Sequence, residues 1–136
     1  LRGYQADIDG AMQYSGMNYE ERRRTIIAWP GQTVLLKTPS GPVEDFRKNN
    51  QWTLSEIRHQ VNNLDSLKSH VRRNDWNEMH IVARKNRIRH YINGVLFSEV
   101  DDRDRKNRRR EGLLGVQVHV GPPMKVEYRS ILLKRL

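Results

Sequence analysis

Residues 87–100 read RIRHYINGVLFSEV. Two runs rich in β-branched, aromatic and aliphatic residues flank Asn93-Gly94, the dipeptide that best suits the two left-handed positions of a tight hairpin turn. Arg87 to Ile92 and Val95 to Val100 therefore read as paired strands, and Trp76 to Arg84 as the strand before them. Toward the C-terminus, residues 101–111 are almost wholly charged and read as an exposed loop. Leu114, Val116, Val118 and Val120 then alternate with Gln117 and His119, which predicts a strand over Leu113–Val120. Gly121-Pro122-Pro123 marks a tight turn, and Met124–Leu136 reads as a last strand or pair of strands.

Toward the N-terminus, Tyr4, Ala6 and Ile8 alternate with Gln5, Asp7 and Asp9, giving a strand with one apolar and one polar face. Asp9-Gly10 signals a turn. Short apolar runs at 24–28 and 33–37, split by Pro30-Gly31, predict a hairpin. Residues 38–53, with Pro39, Gly41, Pro42 and Asn49-Asn50, read as a loop. Ile57, Val61, Leu64, Leu67 and Val71 follow Thr53-Leu54-Ser55-Glu56 at helical spacing, which predicts one surface helix near 54–72. The sum is an all-β, antiparallel β-sandwich or jelly roll with one inserted helix, in a single domain over residues 1–136 and without internal repeats.

A chain of 136 residues is long enough for a real core. It has no cysteine, which excludes disulfides, thiolate catalysis and cysteine-bound zinc. No apolar run approaches the roughly 20 residues that span a bilayer, so no membrane insertion is expected. The formal net charge is +9, with arginine runs at 22–24 and 108–110. Such charge suits polyanions, but no phosphate-binding loop, dinucleotide fingerprint or nucleic-acid motif accompanies it, so nucleic acid is not the expected partner. The chain opens on Leu1 within strand-like sequence. We expect a fragment, with any signal sequence outside it.

Parity alone suggests a site. The polar faces of the first strand (Gln5, Asp7) and of the strand over Leu113–Val120 (Gln117, His119) each carry an amide and an ionisable group. A ligand cleft and a plain solvated surface both fit that pattern. His119 is the foremost candidate base, acid or metal ligand, and Asp7 the foremost carboxylate. Glu20 and Glu21 point to opposite faces of an extended chain. Glu21, which shares parity with Tyr19, is favoured for the cleft, with Arg22 to hold a carboxylate or a ligand hydroxyl. His59 and His70, on the expected helix, read as solvated. His90 shares the face of Ile88 and Ile92 and reads as partly buried. His80 stands out less. Trp76 and Tyr91 fit a core better than a stacking platform for a ligand.

Trp76-Asn77-Glu78-Met79-His80-Ile81, Ala83-Arg84, Asn86-Arg87-Ile88, Ile92-Asn93-Gly94, Gly112-Leu113, Gln117-Val118-His119, Gly121-Pro122-Pro123-Met124 and Ile131-Leu132-Leu133-Lys134, in that order, resemble the 3-keto-disaccharide hydrolase domain family (DUF1080). Gly3-Tyr4-Gln5-Ala6-Asp7 and Tyr19-Glu20-Glu21-Arg22 are similar to it too. The resemblance implies a secreted or periplasmic, concanavalin A-like sandwich with carbohydrate as partner, whose usual further N-terminal strands lie outside this sequence, so that an additional domain or chain would complete the sheet. Its chemistry would be loss of the proton at C2 of a 3-keto-glycoside, elimination of the group at C1, and addition of water. His119, Asp7 and Glu21 would be catalytic, with Gln5, Tyr19, Glu20, Arg22 and Gln117 on the substrate, with or without a divalent metal held by His119 and Asp7. Two positions depart from the family pattern, since Arg23 and Lys85 stand where glycine is usual. A left-handed backbone at either would cost about 1 kcal/mol. A non-catalytic carbohydrate-binding module is the alternative. Direct hydrolysis between two carboxylates ranks lower, because no strand carries the expected acidic triplet.

Overall fold

A computed structural model describes residues 2–117, 119, 121, 123 and 125–135. Ten strands make two five-stranded sheets. The first holds β1 (Gly3–Ala6), β2 (Asn18–Glu21), β3 (Thr25–Ala28), β5 (Arg47–Lys48) and β6 (Gln51–Trp52), in the order β1-β2-β3-β6-β5. The second holds β4 (Gln32–Leu36), β7 (Ser55–Gln60), β8 (Met79–Arg84), β9 (Arg87–Ile92) and β10 (Val95–Asp102), in the order β7-β4-β10-β9-β8. The chain is all-β and sandwich-like, but neither sheet is purely antiparallel: β3 runs parallel to β6, and β4 parallel to β10.

The hairpin that opened the sequence reading is present. Asn93 and Gly94 take φ of 49° and 79° and join β9 to β10, as a two-residue turn that follows the twist of its strands requires. The β8–β9 connection places Lys85 at φ 58°, the strained geometry foreseen for a lysine in a glycine position. At the other departure the left-handed residue is Arg22, at φ 56°, one position before Arg23.

Residues from both sheets meet in the core. Ile27, Ala28 and Trp52 come from the first sheet, and Val34, Leu36 and Val100 from the second, all at most 1% exposed. Each large apolar side chain so buried contributes about 1.5–3 kcal/mol. A smaller cluster of Leu67, Ile92 and Phe97 seats a short helix, α1 (Leu64–Lys68), against the β9–β10 hairpin. Asn63 caps that helix by accepting from the Ser66 amide at 2.9 Å.

Four expectations are corrected. Residues 24–28 and 33–37 are not a hairpin: β3 and β4 lie in different sheets, and Pro30-Gly31 carries the chain across the sandwich. Two flanking strands and a turn leave that choice open, and burial of Ile27 against Val34 and Leu36 decides it. The loop at 38–53 contains a 3-10 turn (Val43–Phe46) and a miniature β5–β6 hairpin, whose Asn49 and Asn50 are both left-handed. The helix over 54–72 is mostly a strand: Ser55–Gln60 pairs with β4, and only Leu64–Lys68 is helical. Ladder hydrogen bonds to β4 outweigh the helical spacing of Ile57 and Val61, and Ile57 stays exposed.

The fourth correction concerns the C-terminal segment. The described residues beyond 110 form no strand, and Leu113, Leu132 and Leu133 are exposed to 98%, 90% and 85%. Val118, Val120, Met124 and Leu136, part of the expected strands, lie outside the described residues. A period of two supplies a face but not a neighbouring strand, and all ten described strands pair among residues 3–102.

The loop after β10 is not simply exposed either. Arg24, wholly buried, is bound by Glu20 (2.5 Å), Asp102 (2.7 Å) and Asp104 (3.4 Å). Tyr4 donates to Asp102 and receives a bond from Arg24 at 3.1 Å. Burial lowers the Arg24 pKa, but its bonds to Asp102 and Glu20 outweigh that and leave it above the ordinary guanidinium value. The acidic ends of β2 and β10 are thereby locked together through one cation.

Candidate functional site

Directly opposed residues of neighbouring strands share a face of a sheet. The first sheet's registers, Gln5↔Tyr19, Tyr19↔Ile26, Ile26↔Gln51 and Gln51↔Lys48, therefore define one row across all five strands. Alternation puts Tyr4 and Glu20 on the opposite face, against the core and Arg24. The outward face thus carries Gln5, Tyr19 and Glu21, with Asp7 just past the end of β1, over a floor formed by Ile26.

Asp7 is held from several sides. Gln5 Nε2 donates to its Oδ1 at 2.5 Å. Its amide donates to the Met17 carbonyl at 3.3 Å, and its own carbonyl accepts from Gly16 at 2.9 Å. Gly16 has φ 80°, and an added Cβ would sit 2.5 Å from Phe97 Cβ. Only glycine brings the backbone this close while turning it toward Asp7. Burial raises the Asp7 pKa above the ordinary carboxylate value. The Gln5 bond opposes this, the charges of Asp9 and Glu21 add to it, and the charge of His119 lowers it again. Tyr19 donates to Asn50 Oδ1 at 3.1 Å. Its pKa is raised by burial and by Glu21, against the Asn50 bond. A half-buried carboxylate with raised basicity, close to a phenol and side-chain amides, is suited to proton transfer with a bound ligand.

The expected residues separate into two groups. Asp7, Gln5, Tyr19 and Glu21 come together on the outward face, and His119, though exposed and off any strand, lies close enough for its charge to act on Asp7. Arg22 is exposed, 3.9 Å from Glu21. Glu20 is turned inward and fully buried in the Arg24 network, so it is not available to a ligand on that face. Gln117 is exposed, in a segment that is not a strand. Asp9 folds the following loop, accepting amide bonds from Ala11, Gln13 and Tyr14 at 2.9–3.2 Å.

His90 is buried outright behind Asp7. Burial lowers its pKa to about 4, against raising hydrogen bonds with the backbone of Gly16 and Met17. His59 and His80 are exposed on the second sheet, and His70 is exposed just after α1. Tyr91 leans on His80 in that same sheet, and Trp76 is covered by the Arg129 guanidinium 4.0 Å from its ring centre. Lys48, Asn50 and Gln51 were missed because 38–53 read as a loop. Asn49-Asn50 is itself a signal for a left-handed two-residue turn. Among the described residues no group of three His, Asp or Glu side chains is arranged to hold a metal ion. Asp7 and His119 would supply two ligands at most, so no step is assigned to a metal.

The described residues thus form an all-β, sandwich-like fold whose outward sheet face presents a shielded carboxylate among hydroxyl and amide donors. The family model described as the 3-keto-alpha-glucoside-1,2-lyase-like domain matches residues 1–134, and the chain belongs to that family. Searches of curated proteins and of solved structures gave no match. Membership supports action on a glycoside at the level of the family.

Proposed function

We propose that the outward face around Asp7 binds a 3-keto-glycoside and cleaves it by elimination. The observation that carries this reading is the placement of Asp7: raised in pKa, oriented through Oδ1 by Gln5, and beside Glu21, Tyr19 and His119. A ketone at C3 acidifies the proton at C2. Asp7 takes that proton, the electrons of the C2–H bond form the enolate, and the C1–oxygen bond then breaks. The leaving oxygen takes a proton donated by His119. The products are a 2-hydroxy-3-keto-glycal and the free alcohol, and addition of water across the new double bond gives net hydrolysis. Gln5, the Tyr19 hydroxyl and Lys48 are placed along one row to donate to the enolate oxygen and ring hydroxyls. A secreted or periplasmic setting suits a glycan substrate.

The test is release of aglycone from a 3-keto-glucoside and from its unoxidised parent, with and without divalent metal. We expect release from the keto sugar alone, falling about 10²–10⁴-fold in Asp7→Asn. Unchanged turnover in that variant overturns the assignment. Binding of the unoxidised glycan without turnover of either compound would make the domain a carbohydrate-binding module instead.

A further inference from the structure

Residues 103–110 contain six cations, Arg103, Arg105, Lys106, Arg108, Arg109 and Arg110, and one acid, Asp104. A run of this kind is ordinarily a solvated loop, but its backbone here is built into the fold. Asp104 is buried on Arg24 and accepts the amides of Lys106 and Asn107 at 3.0 and 3.1 Å. Arg103 N donates to Leu36 O at 2.9 Å, and Arg105 N to Thr38 Oγ1 at 2.9 Å. Arg108 reaches back to the Asp102 carbonyl at 3.2 Å, and Arg23 from the β2–β3 turn grips Asn107 at 3.0 Å. The one acid of the run is thus consumed internally, and the cations are left outward on a fixed frame.

Four of them, Arg103, Arg105, Arg108 and Arg110, line with Asn86 an open surface concavity. Arg103 is paired with Asp101 at 2.8 Å, whereas the side chains of Arg105 and Arg110 make no ion pair or hydrogen bond among the described residues. Guanidinium forks match planar or tetrahedral oxyanions. No aromatic residue lines the concavity, so it has no platform on which bases would stack.

We propose that this arginine concavity is a second binding site, for the oxyanion substituents of an anionic carbohydrate: sulfate, phosphate ester or uronate carboxylate. The choice of carbohydrate rests on the glycoside reading above, while the demand for an oxyanion rests on the arginines alone. The two are separable by experiment. Binding of dextran sulfate, polygalacturonate, neutral dextran and duplex DNA to the whole chain is measured at several salt concentrations. The variants are Arg105→Gln/Arg110→Gln and, as an equal-charge control far along the chain, Arg72→Gln/Arg73→Gln. We expect the sulfated or the uronate chain to bind and neutral dextran not to. The first variant should lose at least tenfold in affinity, and its log–log salt slope should flatten by about 1–2. The control should lose less than threefold, and turnover of a neutral 3-keto-glucoside should be unchanged in both variants. Equal losses in the two variants, or no binding at low salt, overturn the proposal. Tighter binding of duplex DNA that the first variant abolishes overturns the carbohydrate class. Lost turnover in Asp7→Asn with glycan binding intact, or the converse in Arg105→Gln/Arg110→Gln, tells the two sites apart.

Discussion

Burial of His90 predicts a specific pH dependence of stability. Its ring is 1% exposed, facing Ser98 at 3.3 Å and hydrogen-bonded with the backbone of Gly16 and Met17. Its pKa falls from 6.5 to about 4 on folding, chiefly through burial. Between those values the unfolded chain takes up a proton that the folded chain refuses. Stability is therefore full above pH 6.5 and declines as the pH falls toward 4. At about 1.4 kcal/mol per pH unit the loss amounts to about 3 kcal/mol, a large part of the 5–15 kcal/mol typical of a domain. The assay is urea unfolding of the wild type and His90→Gln at half-unit steps across that range. Carboxylates and the other histidines are common to both proteins and cancel in the difference. The variant carries a constant packing deficit, but its stability should fall less steeply with acid, so the gap between the two narrows by about 3 kcal/mol at the low end. Parallel profiles would refute the reasoning. Because Gly16 and Met17 hold the Asp7 backbone, the protection factors of the Asp7 and Gly16 amides, taken relative to intrinsic exchange at each pH, should fall over the same window in the wild type.

Arg24→Met leaves Glu20, Asp102 and Asp104 without their buried cation and should cost about 3–5 kcal/mol in urea unfolding; a loss below 1 kcal/mol would mean that water reaches the network. Lys85→Gly removes a side chain from a left-handed position, φ 58°, and should stabilise by about 1 kcal/mol, seen as a raised Tm with the β8–β9 pairing intact.

The strands read most securely were those with turn chemistry at both ends. Asn93-Gly94 fixed β9 and β10 because few sequences accept two left-handed residues in succession. The errors fell where local pattern was satisfied by two structures and tertiary pairing chose between them. Ile57, Val61 and Leu64 fit a helix, yet β4 needed a neighbour on its outer side and took Ser55–Gln60. Pro30-Gly31 fits a hairpin turn as well as a crossing between sheets, and only the meeting of Ile27 with Val34 and Leu36 tells them apart.

The candidate site shows the same division at the level of single residues. Parity alone placed Gln5 and Asp7 on one face and separated Glu21 from Glu20, since adjacent residues of a strand must face opposite ways. It did not foretell what each face would meet. Glu20 is drawn inward by Arg24, whose own position depends on Asp102 and Asp104, some 80 residues away in sequence. That distant pairing takes one glutamate of the pair out of reach of a ligand. The same pairing fixes the loop after β10, so that its arginines point outward. A single buried guanidinium thus orders both the β2–β3 turn next to Glu21 and the loop that carries the cationic concavity. If the two sites bind one glycan chain, they do so on a frame whose geometry is set from the core.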